Sequence, residues 1–290
     1  MRSDASNTVR RELRVGPHRV EYVSVGRGPC LILVHGGSCS ADDWANLIDP
    51  LSRSYHLILP DGLVHPLDPW ALWLLADHLG ARRAALIGHS AGGMTIRQMY
   101  RLAPQRVWAL VSIDSAATGP LTLARKLPND LYSPQAAALY ARHRDQMQQL
   151  RPHHQGDYPS RITIERRMEA YRRSALTPEQ RAKERAHTAG PPTVLTEAPP
   201  APDPIADDGK FITCPTLVLH TGRGKLGPED ISSQWIDEHQ QARDLQYVVI
   251  KEAGHWPWLE DRTRFLSLLE PFLRQHCPPV KGPRDDVSGP

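Results

Sequence analysis

The sequence predicts an α/β fold, and three observations carry that prediction. Short apolar runs such as Leu31-Ile32-Leu33-Val34, Ala84-Ala85-Leu86-Ile87 and Thr216-Leu217-Val218-Leu219-His220 have the length and composition of buried strands. Segments with helical spacing of apolar residues lie between several of these runs, the order expected of a sheet covered by helices. One strand passes straight into a helical segment, residues 94–102, through the pentapeptide Gly88-His89-Ser90-Ala91-Gly92.

In chain order, residues 1–10 read as a loose polar tail, and residues 19–25 alternate as a strand. Gly26-Arg27-Gly28-Pro29 turns that strand toward the apolar run that ends in His35-Gly36-Gly37. Residues 55–59 form the next strand, stopped by Pro60-Asp61-Gly62; His65 belongs to the loop that follows. Residues 68–79 have helical spacing, with Asp68 as N-cap and Pro69 in the first helical position. After the pentapeptide and its helix, residues 106–113 form a strand, and the next residue is Asp114. From Gly119 to Gly209 no parallel-sheet strand is expected. Helices are read at residues 133–150 and 162–176, and a third opens with Thr177-Pro178-Glu179-Gln180. The six prolines of residues 191–204 predict an extended strap, neither helix nor sheet. Two more strands, residues 216–220 and 246–250, follow, and residues 278–290 read as a disordered tail.

A Gly-x-Ser-x-Gly between strand and helix describes a nucleophile elbow. The serine occupies a turn so sharp that side chains two residues to either side would strike backbone, hence the flanking glycines. The turn lifts the hydroxyl above the sheet and points the first N–H groups of the helix at an oxyanion formed there. His35-Gly36-Gly37 can supply a second backbone N–H to the same oxygen. Far downstream, Glu252-Ala253-Gly254-His255-Trp256-Pro257 follows a late strand, where a histidine can fold back over the serine as general base.

In His35-Gly36-Gly37, in residues 88–92, and in Gly254-His255 followed by Leu259-Glu260-Asp261, the chain resembles the α/β-hydrolase superfamily over residues 20–272. The resemblance implies an eight-stranded, mostly parallel sheet flanked by helices. It also implies Ser90 as nucleophile, His255 as base, and an oxyanion hole built from the N–H groups of Gly37 and Ala91. On this reading residues 11–118 and 210–277 form the hydrolase core, and residues 119–209 are inserted as a helical cap that sets substrate choice.

The acid departs from the usual pattern. It would fall a few residues past residues 216–220, on Gly224 or Lys225, neither of which carries a carboxylate. Some members of the superfamily keep it after the sixth strand, where this chain has Asp114. Asp114 is the expected acid, with Glu229 or Asp230 as alternatives and an incomplete triad also open.

Composition sets further bounds. A 290-residue chain buries a substantial core. A net charge of +3 argues for neither nucleic acid nor an anionic membrane as partner. No secretory leader or membrane-spanning run is read, and Cys30, Cys39, Cys214 and Cys277 are taken as reduced thiols of a cytoplasmic protein. Cys39 has no base placed for it and reads as an apolar filler. His153-His154 lacks a spaced third ligand, so neither metal nor cofactor is expected. Tyr132, Tyr140, Tyr158 and Tyr171 read as packing or pocket lining, and Arg166, Arg167, Arg172 and Arg173 as a solvated helix face. The expected activity is hydrolysis of an ester, thioester or lactone of a small organic molecule through an acyl-enzyme on Ser90. Carbon–carbon cleavage, elimination or cyclisation on the same residues is the second reading, and a non-catalytic ligand-binding relative the third. Oligomeric state is left open.

Overall fold

Residues Arg10–Val15 (β1) and His18–Val25 (β2) pair antiparallel, joined through Gly16, whose φ of +54° suits a residue without Cβ. The remaining strands are Cys30–Val34 (β3), His56–Asp61 (β4), Ala84–His89 (β5), Val107–Ile113 (β6), Thr193–Leu195 (β7), Thr216–Thr221 (β8) and Leu245–Ile250 (β9). They form one nine-stranded sheet in the order β7-β1-β2-β4-β3-β5-β6-β8-β9. β2 is antiparallel to both of its neighbours, and every other pairing is parallel. This computed structural model describes residues 9–16, 18–37, 40–61, 67–115, 191–206, 211–222 and 241–277.

Parallel strands need helices on both faces, and β3, β5 and β8 are buried at every residue for that reason. The described α-helices are Ala45–Ser52 (α1), Pro69–His78 (α2), Ala91–Leu102 (α3), Pro257–Glu260 (α4) and Arg262–His276 (α5). On one face α2 and α3 pack Trp73, Leu75, Ile96 and Met99 against Ile32, Ile58 and Leu86 of the sheet. On the other, Leu47 of α1 and Phe265 and Leu269 of α5 join Trp44 and Trp258 against Leu33, Ile87 and Val111. Trp44 and Trp258 stack at 4.5 Å. As fully buried residues they are each worth about 3–5 kcal/mol against alanine. Asp68 caps α2 as its sequence position predicts, accepting from the N–H groups of Trp70 and Ala71 at 2.9 and 3.2 Å.

Three expectations need correction. The sheet has nine strands rather than eight. Arg10, assigned to the loose tail, begins β1 instead, because Leu13 and Val15 of that segment reach the core. The proline-rich strap is not strand-free: Thr193–Leu195 pairs parallel with β1 at the sheet edge. Its prolines fall outside the three paired residues, and an edge strand of β-formers tolerates them there. The strap is tied further by Trp70 Nε1–H to the Pro199 carbonyl at 3.0 Å and by the Ile205 N–H to the Arg101 carbonyl at 2.9 Å.

The cap helices, with their tyrosines, arginines and His153-His154, lie outside the described residues, as do Cys39, His65, Glu229 and Asp230. Among the described residues no helix is long and apolar enough to cross a membrane.

Candidate active site

The sheet brings the candidate residues to the C-terminal ends of neighbouring parallel strands, the edge where open α/β sheets present their chemistry. β5 runs into the elbow without a spacer, so the helix that was read from residue 94 begins at Ala91. Ser90 has φ 51° and ψ −120°, and its side chain makes no capping hydrogen bond to α3. Among the described residues only Ser90 and Asp114 are non-glycines at positive φ, so the backbone strain gathers at two of the predicted site residues. The tightness of the turn explains the glycines around it. A Cβ at Gly88 would lie 2.5 Å from the Gly92 carbonyl oxygen, and one at Gly92 would lie 2.6 Å from that of His35.

A ladder of backbone bonds continues across the strand ends. The Ser90 N–H donates to the Ile113 carbonyl at 2.9 Å, and the Asp114 N–H donates to the Leu219 carbonyl at 2.8 Å. Each strand thus fixes the first residue beyond its neighbour. The His35-Gly36-Gly37 turn lies against the elbow: a Cβ on Gly36 would sit 3.1 Å from Ser90 Cβ, and one on Gly37 3.7 Å from Ala91 Cβ. Gly37 and Ala91, named for the oxyanion hole, are therefore neighbours.

Asp114 is buried, and its two oxygens serve two histidines. His255 Nδ1–H donates to Oδ2 in a short hydrogen bond, and His220 Nδ1–H donates to Oδ1 at 3.0 Å. The acceptors fix both tautomers, since a carboxylate can only accept. Burial alone would push the carboxyl toward its neutral form; the hydrogen bonds from His220 and His255 outweigh it and hold Asp114 well below the usual carboxylate range.

The loop bearing His255 is anchored at several points. Gly254 N–H donates to Glu260 Oε1 at 2.8 Å. The His255 carbonyl accepts from His89 Nε2–H at 2.8 Å. His89 is itself walled by Trp44, Trp256 and Trp258, with ring centroids at 6.5, 5.7 and 4.8 Å. The variable residue of the elbow pentapeptide, directly before Ser90, thereby ties the loop of His255 to the elbow.

Sequence reading named Ser90, His255, Asp114, Gly37 and Ala91, and the described structure gathers them around the ends of β3, β5 and β6. It missed His220 and the anchoring role of His89. His220 closes an apolar run and resembles a packing residue; the available signal was a polar ring at the end of the strand adjoining the one before Asp114. Among the described residues no group of three or more His, Cys, Asp or Glu is placed to hold a metal ion. Burial pushes the thiols of Cys30, Cys214 and Cys277 up to about 12, which leaves them poor nucleophiles.

A family model described as "Alpha/beta hydrolase family" matches residues 31–268. The chain belongs to the alpha/beta hydrolase family. A 2-hydroxy-6-oxo-6-(2'-aminophenyl)hexa-2,4-dienoic acid hydrolase of Metapseudomonas resinovorans is 25% identical across 93% of this chain and 92% of that protein. The magnesium-chelatase 30 kDa subunit of Rhodobacter capsulatus is 38% identical, but over 36% of this chain and 41% of its own length. Among solved structures, a carboxylesterase from Bacillus subtilis superposes with a TM-score of 0.62 at 19% identity, covering 93% of this chain and 92% of that one. This last likeness bears on the fold alone. This member of the alpha/beta hydrolases thus has a hydrolase among its relatives over nearly its full length.

Proposed function

We propose that this hydrolase cleaves an ester, thioester or lactone of a small organic molecule through an acyl-enzyme on Ser90. The observation that carries the reading is the pairing of His255 Nδ1–H with the buried carboxylate of Asp114, whose strand holds, one residue earlier, the N–H of a strained serine whose hydroxyl does not cap its helix. A histidine so held keeps Nε2 free of hydrogen, the form a general base requires.

Ser90 Oγ attacks the substrate carbonyl as its proton passes to His255 Nε2. The carbonyl oxygen becomes an oxyanion, held by the N–H groups of Gly37 and Ala91 near the positive end of α3. Collapse expels the leaving oxygen or sulfur, which takes the proton from His255. Water then gives a proton to His255, attacks the acyl carbon, and releases the carboxylic acid with Ser90 regenerated. Asp114 keeps its charge throughout and offsets that of the imidazolium.

A second reading is hydrolytic carbon–carbon cleavage on the same residues, favoured by the near full-length match to the aminophenyl-hexadienoic acid hydrolase. In both readings His255 moves the proton and the N–H groups of Gly37 and Ala91 face the substrate oxygen.

Reaction with a fluorophosphonate probe tests the proposal. The wild-type protein is expected to be labelled and Ser90→Ala to stay unlabelled. An unlabelled wild type, or equal labelling of the variant, would overturn it. Turnover of a vinylogous 1,5-diketone without turnover of p-nitrophenyl or thioester substrates would move the assignment to the second reading.

A further inference from the structure

We infer that His220 is a positioning residue, whose Nδ1–H holds one oxygen of Asp114 so that the other stays aimed at His255. The inference rests on the serine-hydrolase reading and extends it to a residue on a third strand.

The superfamily resemblance places the usual acid a few residues beyond the strand that is β8 here. In this chain β8 ends instead in a residue that grips an acid carried by β6. The register explains how: Ile113 of β6 pairs with Leu219 of β8, so the next positions, Asp114 and His220, stand side by side. The Asp114 backbone is fixed to Leu219, at positive φ, and its carboxylate is enclosed. What remains free in such a residue is rotation of the carboxylate plane. One donor leaves that rotation open and strands the second oxygen in a dry interior; a donor on each oxygen closes it.

His220 does not have the properties of a mere space-filling residue. Its ring is buried to 1% exposure, and Nε2 has no hydrogen-bond partner among the described residues. A phenylalanine or leucine would fill this place, edge-on to Tyr247 at 6.0 Å, without burying a lone ring nitrogen. What the imidazole adds is the N–H directed at Oδ1. The groups facing Asp114 come from β8 and from the loop after β9: His220 and the Thr221 hydroxyl on the first, His255 on the second.

The test uses the full chain and the rate of fluorophosphonate labelling as a function of pH, for wild type, His220→Leu, His220→Asn and His220→Gln. The asparagine amide puts an N–H where Nδ1 stood, whereas the glutamine amide reaches toward the Nε2 position. His220→Leu should label about 10- to 100-fold more slowly, the loss of one hydrogen bond to a charged group. Its acidic limb should shift to higher pH, because a carboxylate with one donor fewer pairs more strongly with the imidazolium of His255. His220→Asn should recover to within a few-fold of wild type with the limb restored, and His220→Gln should not. Should the leucine variant fail to fold, the asparagine and glutamine pair decides. Equal rates and unshifted limbs in all variants, or equal damage from Asn and Gln, would overturn the inference while wild-type labelling leaves the serine reading standing. An unlabelled wild type would overturn both.

Discussion

Replacing Asp114 with asparagine separates the chemistry of the carboxylate from its shape. Asparagine keeps the volume but has one acceptor oxygen, while two imidazoles donate to this side chain, through His255 Nδ1–H and His220 Nδ1–H. Its amide group must face one of them and force that ring into its other tautomer. If His220 yields, its hydrogen moves to a buried Nε2 with no partner among the described residues, at a cost of about 1–3 kcal/mol. If His255 yields, its hydrogen moves to Nε2, where the proposed site offers the Ser90 hydroxyl as acceptor. The difference favours the second outcome by about 5- to 150-fold, at 1.36 kcal/mol per decade. The variant is thus driven into the tautomer that cannot take the serine proton. Together with the lost charge opposite the imidazolium, kcat should fall by about 10³- to 10⁴-fold, the scale of such a change in a serine triad. Adding His220→Leu frees the asparagine oxygen to turn to His255, so Asp114→Asn/His220→Leu should exceed the single Asp114→Asn variant by about tenfold, within the bias just derived. The assay is hydrolysis of an activated ester, with near-UV circular dichroism to confirm the fold. An Asp114→Asn variant within tenfold of wild type would refute the reasoning, and a double variant slower than the single would refute the tautomer argument.

Other expectations follow from the same geometry. Gly92→Ala places a Cβ against the Val34 and His35 carbonyl oxygens, and should cost about 1–3 kcal/mol in a thermal or urea melt along with most of the activity; an unchanged midpoint contradicts the close approach. Because Asp114 is held below its ordinary value of 3.8, its charged form stabilises the fold above that pH, and the contribution fades as pH falls toward the folded value. Asp114→Asn should therefore destabilise more near pH 7 than near pH 3 in urea titrations, and a constant difference contradicts the linkage. Cys30, Cys214 and Cys277, buried and with thiols near 12, should stay unalkylated by iodoacetamide at about pH 8 until the protein is denatured; rapid modification of the native protein contradicts their burial.

The sequence was most legible where chemistry constrains it tightly. The elbow needs glycines at fixed offsets from Ser90, and the residue directly after an apolar strand needs little tertiary knowledge to be placed, so Asp114 was within reach. His220 was not, because its partner stands 106 residues away and only the register of β6 against β8 brings them side by side. The same limit applies to β7. Thr193, Val194 and Leu195 are good β-formers, yet three residues among prolines carry no periodic signal, and their partner β1 lies at the far end of the chain. β1 itself begins with the charged residues Arg10, Arg11 and Glu12, so Leu13 and Val15 alone mark its inward face, too short an alternation to read as a strand.

The most direct test of covalent catalysis is mass spectrometry of peptides from protein quenched during incubation with a panel of activated esters. The account predicts an acyl adduct on the peptide containing Ser90, accumulating further in Asp114→Asn if deacylation slows more than acylation, and absent from Ser90→Ala. Turnover of those esters by Ser90→Ala at the wild-type rate, or an acyl group found on another residue, would contradict it.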